Sequence, residues 1–248
     1  MKSPIAALRH LLPKPFRRRL VGLTRWPPVG LVRFGSFRRL TPISEAWGGD
    51  RGQPIDRFYI ERFLGAHAQD VRGAVLEIGD NTYTRCFGGD RVTRSEVLGV
   101  TEHEPSVTLI GDLTRADHLA TGSFDCVILT QTLQFIFDVA SAVQTVQRIL
   151  RPGGVALATV PGISKVSRHE MARWGCYWNF TSASARRLFE TAFPASDVAV
   201  TAHGNVLASV AFLHGLAAHE LQPHELDHLD HEYELLITIR AVKPGIAE

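Results

Sequence analysis

Val75-Leu76-Glu77-Ile78-Gly79 decides the fold: a short apolar run that stops at a glycine, with Ala74 ahead of it and Asp80-Asn81 behind. A run this short, apolar on both faces, is a buried strand entering a tight turn. Working outward, the same kind of run returns at Val97-Leu98-Gly99-Val100, at Val107 to Ile110, at Cys126 to Leu129 and at Val155 to Val160. Between the last two lies a helical stripe of Val139, Val143, Val146 and Leu150, stopped by Pro152-Gly153-Gly154. A second helix is expected over Ser184 to Thr191. After it come a strand at Val198 to Val200, an apolar helix near Leu207 to Leu216 and a long strand from Tyr233 to Val242. Strands that alternate with helices predict a doubly wound α/β domain with a mostly parallel sheet of seven strands.

Ahead of this pattern, Pro54 opens an amphipathic helix on which Ile55, Phe58, Tyr59 and Phe63 form a stripe. Arg57 and Glu61 stand one turn apart on it and are placed to pair. Residues 1–45 read as a basic arm, proline-punctuated, and residues 46–248 as the domain. Ten Lys and Arg side chains lie between Met1 and Ser44, with no acidic residue among them. The chain from His219 onward is acidic instead. The net charge of the whole, +2, makes no argument for nucleic acid, and 45% hydrophobic residues in 248 describe a globular protein. No apolar run reaches a membrane span of about 18 residues. Three cysteines, Cys86, Cys126 and Cys176, show no CxxC spacing. A reducing cytoplasm is therefore expected, with a transit peptide in the Arg-rich start left open.

Open α/β sheets bind ligands beyond the carboxyl ends of their strands. Those ends are Glu77 to Asn81, Thr101-Glu102, Gly111-Asp112-Leu113 and Thr130-Gln131-Thr132. The set is polar, acidic and poor in Lys and Arg, which suits hydroxyls, an amine and an adenine edge and suits phosphate badly. A dinucleotide turn needs further glycines, and Asn81 and Thr84 stand in their places. S-adenosylmethionine (SAM) has no phosphate, so the single Gly79 is enough for it.

Four segments in order then resemble class I SAM-dependent methyltransferases. They are Val75 to Gly79; Phe124 to Phe135, of the form FDxVxxxxxLxH; Leu150-Arg151-Pro152-Gly153-Gly154; and Trp178-Asn179-Phe180-Thr181. The resemblance implies SAM as cofactor. Gly79 would let its methionine part pass close to backbone, with Glu77, Asp80 and Asn81 lining that turn. Thr101, or the carboxylate of Glu102, would take the ribose hydroxyls. Asp112 would accept from the adenine amino group, Leu113 would pack on the ring, and Thr130 and Gln131 would floor the methionine part.

The first motif departs from the family: Asn81 and Tyr83 replace glycines, and Gly88-Gly89 cuts short the helix that should follow. The crossover from the second strand to the third is too short for a helix. A non-catalytic SAM-binding or interaction module is the alternative to an enzyme. Methyl transfer to a small molecule or sugar, most simply at oxygen, is the expected activity. Arg57, Tyr59, Tyr177 and Trp178 are its expected substrate contacts, with core packing as the competing reading of the aromatics. His169 and His203 are weighed as bases and neither is assigned. The His-rich stretch from His219 to His231 reads as a solvated helix face, with no metal site. Weak contact of the arm with an anionic surface is expected; oligomeric state is left open.

Overall fold

The computed structural model describes residues 26–101 and 105–245, so most of the basic arm and Glu102 lie outside the described residues. The chain divides between Thr41 and Pro42. Within 26–41 the regular element is a short 3-10 turn, Gly35–Phe37.

The second unit holds one sheet of seven strands: β1 (Gly73–Ile78), β2 (Val92–Gly99), β3 (Leu109–Ile110), β4 (Phe124–Thr130), β5 (Leu150–Pro161), β6 (Val198–His203) and β7 (Leu236–Val242). Their order across the sheet is β3-β2-β1-β4-β5-β7-β6. β1 pairs in parallel with both β2 and β4, whereas β7 runs antiparallel to β5 and β6. The chain begins in the middle, moves out to β3, then returns to the other side of β1. Strand order therefore reverses between β1 and β4, the place where an open α/β sheet opens a crevice.

Alternation along the central strands builds a core on each face. Leu76, Val127, Leu129, Ala156 and Ala158 point to one side, where α2 (Val139–Ile149) and α4 (Ser182–Phe189) cover them. Val75, Cys126, Ile128 and Leu157 point to the other, under α1 (Ile55–Ala66) and α5 (Val206–Leu213). The doubly wound arrangement thus follows from strands apolar on both faces. Asp138 caps α2, its side chain accepting from Ser141 N at 3.1 Å.

Several boundaries differ from the sequence reading. Helix α2 ends at Ile149, and Leu150 is already extended and belongs to β5. Phe124 pairs with Leu150 and Cys126 with Val155, so residues 151–154 form a bulge within β5 instead of ending the helix. β2 starts at Val92, five residues before the apolar run that marks it. One short helix escaped the periodicity, α3 (Arg168–Trp174), and within the His-rich stretch read as a helix face the helix is short, α6 (Pro223–Asp227). The signal for α3 was present in Ser167-x-x-Glu170, and the Ser167 side chain does accept from Glu170 N. The helix after β1 is cut short at Gly88-Gly89, as the sequence reading expects. A π-helical turn, Thr84–Gly88, and a 3-10 turn, Gly89–Arg91, stand there, and a Cβ on Gly88 would meet Val92 at 2.3 Å.

Helix α1 also corrects the pairing expected on its surface. Arg57 donates to the Tyr83 hydroxyl at 2.9 Å, while Glu61 accepts from Gln53 at 2.7 Å. Tyr59 is 2% exposed, and its hydroxyl donates to Leu226 O at 2.8 Å. Burial pushes its phenol up to about 12. Tyr59→Phe should therefore cost about 0.5–1.5 kcal/mol in urea unfolding, the worth of one such hydrogen bond. Ligand affinity should be unchanged in the same variant; a change there would return Tyr59 to the site.

Candidate active site

At the strand ends around the β1–β4 crevice lies a cavity of about 740 Å³, well inside the roughly 300–1,000 Å³ of small-molecule sites. Gly79, Thr101, Asp112, Leu113, Thr130, Gln131 and Tyr177 line it. Gly79 has φ +89°, and a Cβ built there would meet nothing within 4 Å. The glycine is thus required by backbone conformation and not by packing, and the space beside it is open. The Asp112 carboxylate accepts from Thr114 N and Oγ1, both at 2.9 Å, so it caps its own turn while lining the cavity.

Glu77, Asp80 and Asn81 are not among the lining residues. Asp80 Oδ1 takes Thr82 N at 2.7 Å, and Asn81 O takes Arg85 N at 3.0 Å. Glu77 is 2% exposed. Its two oxygens accept from Tyr83 N at 3.1 Å, Thr84 N at 2.7 Å and Thr84 Oγ1 at 2.6 Å. It supports the turn from beneath. Burial raises its carboxyl above the ordinary glutamate value, against the opposing pull of the Thr84 and Tyr83 hydrogen bonds.

A second cavity of about 340 Å³ adjoins the first. Thr130, Gln131, Phe135 and Glu170 line both, so the two share a wall. The smaller chamber adds Trp47, Asp56, Arg57, Gln134, Lys165 and Asn179. Strain concentrates here. Among the described residues, the non-glycine positions with positive φ are Trp47 (54°) and Gln131 (49°), and both line the chamber. Such conformations persist where surrounding structure enforces them, commonly at functional sites. Gln134 Nε2 donates to Gln131 O at 2.9 Å and to Gln131 Oε1 at 3.2 Å, which fixes both amide orientations. Gln131 Nε2 and Gln134 Oε1 are left buried without a partner.

Charges in the chamber are mixed. Burial raises the Asp56 carboxyl, partly offset by Arg57. Burial opposes the Arg57 cation, but Tyr83 and Asp56 outweigh it and hold the guanidinium above its ordinary value. Lys165 Nζ sits 3.9 Å over the Trp47 ring.

Of the expected substrate contacts, Arg57 lines the chamber and Tyr177 the larger cavity. Trp178 braces the rim from outside: its indole donates to Ile136 O at 3.0 Å and stacks on Phe137. Tyr59 belongs to the core. His203 stacks on Tyr59 and contacts Thr238 Oγ1, with burial lowering its imidazole to about 4; it lines neither cavity. Sequence reasoning missed Trp47, Asp56, Gln134 and Lys165 altogether. Among the described residues no group of three His, Cys, Asp or Glu converges on a metal position.

Residues 80–158 match a family model described as a methyltransferase domain. No curated protein matches the chain. Among solved structures, the N-methyltransferase NodS from Bradyrhizobium japonicum WM9, in complex with S-adenosyl-L-homocysteine, is similar over 94% of this chain and 100% of its own, with a TM-score of 0.50 and 12% identity. A putative methyltransferase from Bacillus halodurans C-125 is similar over 75% of this chain and 99% of its own, with a TM-score of 0.50 and 12% identity. The cyclase SpnF is similar over 79% and 85%, with a TM-score of 0.51 and 14% identity. At these identities the likeness is one of fold. The resemblance read from the four motifs holds. Residues 80–158 carry a methyltransferase domain, and the sheet has the class I fold of SAM-dependent methyltransferases.

The turn after β1 can be tested apart from any ligand. Glu77→Gln keeps the shape but puts an NH₂ against a main-chain N–H, so stability should fall by about 1–3 kcal/mol in urea unfolding. Because folding raises the wild-type carboxyl, its titration removes stability as pH rises from the ordinary glutamate value to the raised one. That slope should vanish in Glu77→Gln. An unchanged stability would mean that the three hydrogen bonds do not hold the turn.

Proposed function

We propose that the protein methylates an oxygen of a small hydroxylated molecule or sugar held in the 340 Å³ chamber, with Asp56 taking the hydroxyl proton. The observation that carries this reading is the shared wall of Thr130, Gln131, Phe135 and Glu170 between the two cavities. A cleft that fits SAM thus adjoins a chamber of acceptor size. Gly79 gives the cofactor open backbone space, Thr101 and Asp112 offer oxygens to its hydroxyls and adenine amine, and Thr130 and Gln131 floor its methionine part. Bound SAM supplies an electrophilic methyl carbon.

The chamber does the rest by placement. The Asp56 carboxylate accepts from Arg57 N at 2.8 Å, through Oδ1. It therefore keeps acceptor capacity for a hydroxyl. Asp56, Glu170, Asn179, Arg57 and Lys165 form a wall of donors and acceptors rather than an apolar slot, which suits a polyhydroxylated guest.

The arm before Pro42 stands outside this chemistry, and its contact is read as an anionic surface, not nucleic acid. We place the protein in the cytoplasm; its three cysteines are all free. No helix among the described residues is long and apolar enough to cross a membrane.

Labelled SAM offered with a panel of sugars and hydroxylated metabolites should yield an O-methylated product. Asp56→Asn should lower kcat about 10²–10⁴-fold, the usual worth of a positioned base. Wild-type turnover should fall on the acid side at a pH above the ordinary aspartate range, since burial raises Asp56 even beside Arg57, with Lys165 and Glu170 also lining the chamber. Methyl transfer to nitrogen, or full turnover in Asp56→Asn, would overturn the assignment.

Asp112→Asn separates cap from cofactor contact. The amide oxygen still serves Thr114, but its NH₂ opposes the adenine amine. S-adenosylhomocysteine should bind about 10- to 100-fold more weakly by calorimetry, the loss of roughly 1–3 kcal/mol. Unaltered affinity would make Asp112 a turn residue only.

A further inference from the structure

The chain ahead of Pro42 carries two features that methyl transfer does not use. The first is charge: ten Lys and Arg residues and no acidic residue up to Ser44. The second is exposed apolar surface. Between residues 26 and 41, Trp26 is 92% exposed, Leu40 is fully exposed, and Val29, Leu31 and Phe34 are also open to solvent. Arg33, Arg38 and Arg39 are exposed among them, and the Arg38 guanidinium lies 5.3 Å over the Phe34 ring.

Each feature alone is ordinary, and together they select a partner. Large apolar side chains left in water lose their hydration penalty only against an apolar phase. Arginines at the same place gain from an anionic one. A nucleic acid would take the arginines on its phosphates and leave Leu31, Leu40 and Val29 in water. A bilayer with acidic headgroups serves both: guanidinium groups meet lipid phosphates, while Trp and Leu enter the boundary between headgroups and acyl chains. We propose that residues 1–41 hold the protein on an anionic lipid bilayer as a peripheral anchor. This deepens the anionic-surface reading and stands independently of the SAM site.

The test needs no cofactor, so its failure and that of the methyltransferase reading are distinguishable. Full-length protein is sedimented with vesicles of phosphatidylcholine alone or with one third phosphatidylglycerol. Binding to the acidic vesicles should be at least about tenfold tighter and should weaken steeply as salt is raised. The variant Leu31→Ser/Leu40→Ser should keep every charge yet lose about tenfold or more in vesicle affinity, since two buried side chains are lost. Arg33→Ser/Arg38→Ser/Arg39→Ser should lose the preference for phosphatidylglycerol. Thermal melts of the variants, matched to wild type, keep folding out of the comparison. Equal binding to both vesicles, wild-type affinity in the leucine variant, or tighter binding to duplex DNA or RNA than to acidic vesicles would each overturn the proposal.

Discussion

The buried carboxylate of Glu77 is the constraint on which both cavities depend. It accepts three hydrogen bonds from Tyr83 and Thr84 and so fixes the path of the chain as it leaves β1. Above it, Gly79 keeps a left-handed conformation that leaves the cleft open. Beside it, Tyr83 is held so that its hydroxyl meets Arg57. Arg57 lines the smaller chamber, next to Asp56 on the first turn of α1. One acidic side chain thus links the turn after β1 to the wall of that chamber through Tyr83. A buried charge is costly unless hydrogen-bonded, and the raised carboxyl of Glu77 shows that burial still outweighs its partners.

That linkage also gives physical meaning to the divergent first motif. Where the family pattern has glycines, this chain has Asn81 and Tyr83. Neither fills the cleft. Asn81 takes Arg85 N with its carbonyl, and Tyr83 turns toward Arg57. The turn is held by the Glu77 and Asp80 side chains, which accept from its main-chain N–H groups, and is followed by a π-helical turn in place of a full helix. A cleft that takes SAM, as proposed, does not need the missing glycines because no phosphate has to approach the backbone.

The sheet was legible because its strands are apolar on both faces and end in turn residues. The β1 and β4 runs and the strand-end set around Gly79, Thr101, Asp112 and Gln131 need no tertiary information. The smaller chamber was legible only in Arg57, Thr130 and Gln131, and the rest was hidden for the opposite reason. Its lining comes from Trp47, from Asp56 and Arg57, from Gln134 and from Lys165, four separate stretches with no common spacing. Nor does any local pattern announce the strained backbone of Trp47 or Gln131. Tyr59 is a different lesson. It shares the apolar stripe with Ile55 and Phe63, and that periodicity buried it more surely than its aromatic character placed it in a site. Boundaries failed where polar residues continue an element, as in the first half of β2, or where a bulge interrupts one, as at residues 151–154.

We assign the cleft at the β1–β4 switch point to SAM and not to a dinucleotide. Calorimetric titration of the full chain with S-adenosylhomocysteine, and separately with NAD, distinguishes the two. Saturable binding of S-adenosylhomocysteine at one site and no heat from NAD are expected. Binding of NAD that S-adenosylhomocysteine cannot displace, with no binding of S-adenosylhomocysteine itself, would contradict it.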